Sequence, residues 1–254
     1  MQKGIDVSKH NGTIDWAKVK ASGVQFAMIR AGYGANNIDP QAKRNLSECN
    51  RLGIPVGVYW FSYAYTEAMA RKEAEYCLAA IKPYKLRYPV AFDFEYDSVT
   101  YAAKKGVKVS QALASKIARA FCGAVEAAGY YAVNYANADY LSRYFDAGIK
   151  KDFDLWLAQW PKSPDLSRPP ECGIWQYSST GSVPGISGNV DLNAAYKDYP
   201  SIITKMGGKA PEKTEAEKAQ EWVKAAGISD GKNPDSAATR SQVWVMLYRM
   251  AQGK

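Results

Sequence analysis

Short apolar runs alternate with stretches of helical periodicity along most of this chain. "KGIDVS" (3–8), "VQFAMIRA" (24–31), "IPVGVYWFSY" (54–63) and "YPVAFDFE" (88–95) read as strands. Helices are expected between them over 15–22, about 40–52 and about 66–81, the second closed by Gly53. The clearest helix comes next. Ser110 caps it, Leu113, Ile117, Phe121, Ala124, Val125 and Ala128 form one stripe, and Gly129 ends it. "YYAVNYA" (130–136) makes a fifth strand. Beyond it the helical patterns shorten, and "FDLWLAQW" (153–160), "GIWQYSS" (173–179) and "GNVDLN" (188–193) read as three more strands, joined mainly by Pro/Gly/Ser-rich loops. Eight strands with crossover helices in the first five predict an α/β fold, a TIM-like barrel with a degenerate last third. A doubly wound open sheet is the alternative, although no GxGxxG or P-loop supports nucleotide binding.

The pattern changes after the last strand. "KMGGKAPEKTEAEK" (205–218) has the composition of a charged linker. Ala219, Trp222, Val223 and Ala226 then form a helical stripe ending at Gly227, followed by a loop, "SDGKNPDSAA". Thr239 and Gln242 make a capping-box pattern before a second stripe of Val243, Leu247 and Met250. The expected organisation is a barrel over 1–204, a linker over 205–218 and a helix-loop-helix unit over 219–254. Two short helices rarely hold a core alone, so this unit is expected to dock on the barrel or on copies of itself.

Composition narrows the chemistry. The 254 residues are 47% hydrophobic and carry a net charge of +8. That balance favours polyanions, but the basic residues are scattered, with no block like a nucleic-acid arm. The four cysteines (Cys49, Cys77, Cys122 and Cys172) show no CxxC and read as buried reduced thiols. His10 is the single histidine, which excludes a zinc site built on two or three histidines, and no nucleophile motif accompanies it. It reads as a loop residue with a structural role. The opening "MQKGIDVSKHNG" lacks the apolar region of a signal peptide, and no apolar run is long enough for a membrane span. A chain made in the cytoplasm is expected, and any chemistry must rest on carboxylates.

Asp93 and Glu95 stand two apart within an apolar run. Alternation along a strand puts them on one face and Phe92 and Phe94 on the other. In a barrel the phenylalanines face the helices, so the acids face the interior, at the strand end where barrel sites are built. Asp6 in "GIDVS" and Asp191 in "NVDLN" fall at similar places on the first and last strands, which are neighbours in a closed barrel. Four acids are expected to converge. Crowding raises the cost of ionising all of them, so at least one keeps its proton, as glycosidic cleavage requires. Tyr59, Phe61, Tyr135, Trp156 and Trp160 fall at or near strand ends, where rings can bind sugar. A D-x-E pair by itself also suits a Mg²⁺ site, which leaves a metal-dependent hydrolase open, as well as a wall-binding barrel without activity.

"GIDVSKHNGTIDW", "FAMIRAGYG", "PVGVYWFSYA", "AFDFE" and "IWQYSSTGSVPGISGNVDLN", in that order, resemble the family-25 glycoside hydrolases, the Chalaropsis-type lysozymes. The resemblance covers residues 4 to about 195. It implies a flattened (β/α)5(β)3 barrel that hydrolyses the β-1,4 bond between N-acetylmuramic acid and N-acetylglucosamine in peptidoglycan, with no metal or other cofactor. It implies Glu95 as general acid/base, Asp93 as the residue steering the substrate's own acetamido group, Asp6 and Asp191 as further active-site aspartates, and Tyr59, Tyr135 and Trp156 as sugar contacts. An inverting mechanism with water activated by Asp6 or Asp191 stays open. The tail, "EWVKAAGISDG" then "ATRSQVWVMLYRM", resembles one S-layer-homology motif. It implies an anionic cell-wall polymer as partner, or a homo-oligomer pooling single copies. A lysozyme without a signal peptide and with such a tail looks like a phage endolysin released through a holin pore, a bacterial autolysin being the alternative.

Overall fold

The computed structural model describes residues 1–207, 222–223, 226–228 and 239–251. The chain forms two compact units, Met1–Ala210 and Pro211–Lys254. In the first, eight strands close a mixed barrel: β1 (Gln2–Val7), β2 (Phe26–Tyr33), β4 (Val56–Phe61), β5 (Val90–Asp93), β6 (Ala132–Asn137), β7 (Asp154–Ala158), β8 (Ile174–Gly181) and β9 (Val190–Ala195). The two-residue β3 (Asn37–Ile38) pairs with β2 outside the closure. β1 pairs with both β2 and β9, which rules out the open-sheet alternative. Neighbours are parallel except around β9, which runs antiparallel to β1 and β8.

Helices follow the early strands: α1 (Trp16–Ala21), α2 (Ala42–Leu52), α3 (Glu67–Ile81), α4 (Tyr96–Lys104) and α5 (Gln111–Ala127). Their starts are set by side chains that accept the first free N–H groups, as Asp15 does for Lys18, Thr66 for Met69 and Ser110 for Leu113. Beyond β6 come only the short α6 (Ala138–Arg143), α7 (Ile149–Asp152) and α8 (Tyr199–Lys205). Both α4 and α8 escape the sequence pattern, being short. Cys49, Cys77 and Cys122 are buried free thiols, as expected, and Cys172 is half-buried and free.

Alternation along the strands divides the core in two. Ile5, Val7, Ile29, Val58, Trp60, Phe92 and Phe94 face the helices, packing with Ile117 and Phe121 of α5. Phe26, Met28, Ala91, Val133, Tyr135 and Trp156 fill the barrel. The barrel's lower end is closed by rings: Phe26 stacks on Tyr88 at 4.2 Å, and Tyr199 of α8 lies 5.6 Å from both Tyr88 and Tyr131. Glycines on the inner face make the room. A Cβ on Gly4 would stand 2.5 Å from the Phe26 ring, and one on Gly57 would stand 2.4 Å from the Pro89 carbonyl and 2.7 Å from Met28 Sδ. The lower barrel is thus filled by side chains, and a cleft opens at the opposite mouth.

In the second unit the described residues include α9 (Arg240–Ala251). The expected capping box is present: Thr239 N–H donates to Gln242 Oε1 at 2.8 Å, and Gln242 N–H to Thr239 Oγ1 at 3.3 Å. Trp222 and Val223 are helical. Ala219, the loop at 229–238, and the expected linker beyond Gly207 lie outside the described residues.

Filling space in the lower barrel is expected to cost far more than filling it in a helix. Gly57→Ala should lose about 3 kcal/mol or more through overpacking against backbone, whereas Gly123→Ala in α5, where an added Cβ meets nothing within 4 Å, should gain about 0.5–1 kcal/mol. Urea denaturation of both variants measures the contrast.

Candidate active site

The open mouth of the barrel is a cleft of about 350 Å³, and every acid singled out in the sequence lines it: Asp6, Asp93, Glu95 and Asp191. Tyr59, Phe61, Tyr135 and Trp156 line it too. Their placement follows from strand parity, with two changes from the sequence reading. β5 ends at Asp93, so Glu95 is not a strand residue but the N-cap of α4. Its backbone stays extended (φ −129°, ψ −164°), which carries the alternation past the last strand bond and keeps Phe94 outside while Glu95 reaches the mouth. Asp191 lies at the beginning of β9 rather than at a C-terminal strand end. Because β9 returns by a hairpin from β8, its beginning sits at the same mouth, directly opposite Asp6 in the ladder.

The acids are organised in two hydrogen-bonded pairs, Asp6 with Asp191 and Asp93 with Glu95. Asp6 is 6% exposed and Asp93 4%. Burial raises Asp6 well above the usual carboxylate range, and the charge of Asp191 adds to the rise. Burial likewise raises Asp93, reinforced by Glu95. Glu95 and Asp191 are also raised by burial. The helix N-terminus at Glu95 favours the ionised form by about 0.3–1 kcal/mol, and desolvation outweighs it. Each pair therefore gives up its shared proton only above the usual carboxylate range. The pairs share one field, since the charge of Asp191 bears on Glu95 and that of Asp6 on Asp93.

Amides orient the deeper pair. Asp6 Oδ2 accepts from Gln176 Nε2 at 2.8 Å and from Asn193 Nδ2 at 2.7 Å. Gln176 Oε1 in turn accepts from Tyr135 OH and Trp160 Nε1, and Asn193 Oδ1 accepts from Trp156 Nε1 at 2.8 Å. Trp156, 1% exposed, therefore forms floor more than platform. Trp160 is exposed beside the site and hydrogen-bonded to Gln176. Gln176, Asn193 and Arg30 were not singled out in the sequence, although parity marks all three: Arg30 follows Phe26 and Met28, Gln176 follows Ile174, and Asn193 follows Asp191, each two residues on. His10 lies in the short turn Lys9–Asn11 and joins the lining. Among the described residues no group of three or more His, Cys, Asp or Glu side chains is arranged to hold a metal ion.

Residues 5–186 match the glycosyl hydrolases family 25. The chain belongs to that family. Lysozyme M1 of Streptomyces globisporus is 28% identical over 198 residues, which cover 75% of this chain and 66% of that protein. A bacterial lysozyme from Streptomyces coelicolor shares the fold with a TM-score of 0.67 and 26% identity, covering 82% of this chain and 98% of that one. The modular autolysin LytC of Streptococcus pneumoniae gives a TM-score of 0.64 at 31% identity, over 76% of this chain and 46% of that one. The chain thus spans about two thirds of the Streptomyces globisporus protein's length and under half of the autolysin's. By family this is a glycoside hydrolase, and its barrel is the one the family resemblance implied.

A further acid braces the family-25 cleft from behind. Glu73 of α3 is 3% exposed. Its Oε1 accepts from the Tyr63 N–H at 3.0 Å, its Oε2 is buried without a hydrogen-bond partner, and the adjacent Ser62 N–H donates to the Asp93 carbonyl at 2.7 Å. Burial pushes Glu73 up to about 7. A folded-state value above the unfolded one means that its stabilising contribution is complete below about pH 4.5 and is lost as pH rises through about 7. Between pH 5 and pH 8, Glu73→Gln should gain roughly 2–3 kcal/mol relative to wild type. Paired urea denaturation at the two pH values checks it, and an unchanged difference would refute the assignment.

Proposed function

We propose that the cleft is a muramidase site that cleaves the β-1,4 bond between N-acetylmuramic acid and N-acetylglucosamine in peptidoglycan. One observation carries the mechanism: Asp93 lines the cleft with its Oδ1 buried and without a hydrogen-bond partner, while the same carboxyl is bonded to Glu95. Two carboxyls in hydrogen-bond contact stand too close to straddle an anomeric carbon, since a nucleophile and acid pair needs about 5–5.5 Å between them. Glu95 therefore acts as general acid, and the nucleophile is the sugar's own 2-acetamido oxygen. The acetamido N–H donates to Asp93 Oδ1. That bond favours ionised Asp93, so the proton held within the pair passes to Glu95, where the leaving oxygen takes it. Asp6 and Asp191 supply negative field to the developing oxocarbenium ion. Tyr59, Phe61, Tyr135 and Trp156 shape the sugar's bed.

The whole chain acts on a bacterial wall. A net charge of +8 suits an anionic Gram-positive wall. We assign attachment, through an anionic cell-wall polymer, to the second unit, where α9 exposes Val243, Trp244, Leu247, Tyr248 and Met250. Self-association of copies is the competing role, and a monomeric mass for the full chain in light scattering removes it. Cytoplasmic synthesis followed by holin-mediated release, as for a phage endolysin, completes the reading.

Digestion of purified peptidoglycan is the test. Wild type should release new reducing ends on muramic acid with retained anomeric configuration, and Glu95→Gln should lower the rate by about 10²–10⁴-fold. New free amines in place of reducing ends would sink the proposal.

A further inference from the structure

Arg30 is the only arginine or lysine among the described residues lining the cleft. It reaches the mouth from the inner face of β2, and its side chain is 12% exposed. One edge of the guanidinium is fixed: Nε donates to Asp39 Oδ2 at 2.8 Å. Asp39 has little left to give, because Oδ2 also accepts from the Lys9 N–H at 3.0 Å and Oδ1 accepts from the Gln41 N–H at 2.9 Å. The guanidinium carbon lies 5.7 Å from the Tyr33 ring centre, which further limits its swing. Arg30 Nη2 is buried without any hydrogen-bond partner. None of the four cleft acids is ion-paired to it, although its charge favours ionisation of Asp93.

A buried charged donor left unused is costly, and such groups persist where a ligand supplies the acceptor. The donor set fits an oxygen acceptor of high electron density, best a carboxylate. The two alternating sugars of the strand both carry an acetamido group, so Asp93 cannot tell them apart. Only muramic acid carries a 3-O-lactyl group. Its terminal oxygens belong to a carboxylate on peptide-free strands and to an amide where a stem peptide is attached. Of the side-chain amides lining the mouth, Gln176 Nε2 is bonded to Asp6 and Asn11 Nδ2 to the Asn189 carbonyl, and Asn189 itself is exposed and carries no charge to match a carboxylate.

We propose that Arg30 is a specificity-determining residue that reads the lactyl carboxyl group of the muramic acid unit, with preference for strands on which that group is a free carboxylate. This rests on the muramidase reading of the cleft. Asp39 is its positioning residue, holding the fork so that the free edge faces substrate.

The test uses the full chain and peptide-free glycan strands in two forms, native and with the lactyl carboxylates chemically reduced to alcohols. Wild type should lose roughly ten- to a hundredfold in kcat/KM on the reduced strands. Arg30→Gln should cleave both forms with equal kcat/KM, and Arg30→Lys, which keeps the charge near Asp39 but not the fork, should show an intermediate ratio. The wild-type comparison needs no variant to fold. Equal wild-type rates on the two strands would overturn the proposal, as would an Arg30→Gln enzyme that keeps the wild-type ratio while losing activity on both, the result for an arginine that merely tunes Asp93. A wild type that releases no muramic reducing ends from native strands refutes the muramidase reading itself, and this proposal with it.

Discussion

The antiparallel pairing of β9 with β1 is the constraint on which the cleft depends. It closes the barrel and sets Asp191 directly across the ladder from Asp6. Two carboxyls facing each other in a desolvated mouth cannot both ionise at ordinary cost. The structure relieves that cost by a hydrogen bond within the pair and by two amides on Asp6, and the amides are anchored by ring N–H and hydroxyl groups. Asp93 and Glu95 repeat the solution at the end of β5. Proton sharing is therefore a consequence of closure, and the chemistry of the mouth is built on it.

The barrel is strongly graded from end to end. Its lower end is apolar and filled, with glycines on the inner face admitting the Phe26–Tyr88 stack. Its upper end holds the buried polar groups. Such groups are stable only where partners are rigidly held, and bracing from outside supplies that. Asp39 ties the turn after β1 to the end of β2 through Lys9 and Arg30. Glu73 ties α3 to the loop after β4 and thereby to the Asp93 backbone. Both braces are acids outside the reacting group. One is held by a guanidinium and the other is raised by burial to about 7, so the wall of the cleft responds to pH through Glu73.

Much of this was legible in the chain. Period-two alternation in "AFDFE" predicts Phe92 and Phe94 outside with Asp93 inside, and the same parity applied to "GIDVS" and "NVDLN" brings Asp6 and Asp191 to the interior. Helix caps at Ser110 and Thr239 are local chemistry and are seen in the sequence for that reason. The same alternation also carried Arg30, Gln176 and Asn193, but a neutral amide or an arginine inside a strand has no chemical signature until its partners are known. Asp39 and Glu73 lie in a loop and on a helix, where ionisable residues are commonplace, and only burial distinguishes them.

What the sequence determined by itself was therefore the set of residues that share a face, because pleating and helical pitch are properties of the local backbone. Tertiary structure decided which faces meet and at what distance. It turned β9 around by a hairpin, so that the beginning of that strand rather than its end stands beside Asp6. It ended β5 at Asp93 and set Glu95 at a helix start. It left one edge of Arg30 and one oxygen of Asp93 without partners in a buried site. These outcomes follow from closure and desolvation, which sum contributions from strands far apart in the chain and which no local pattern encodes.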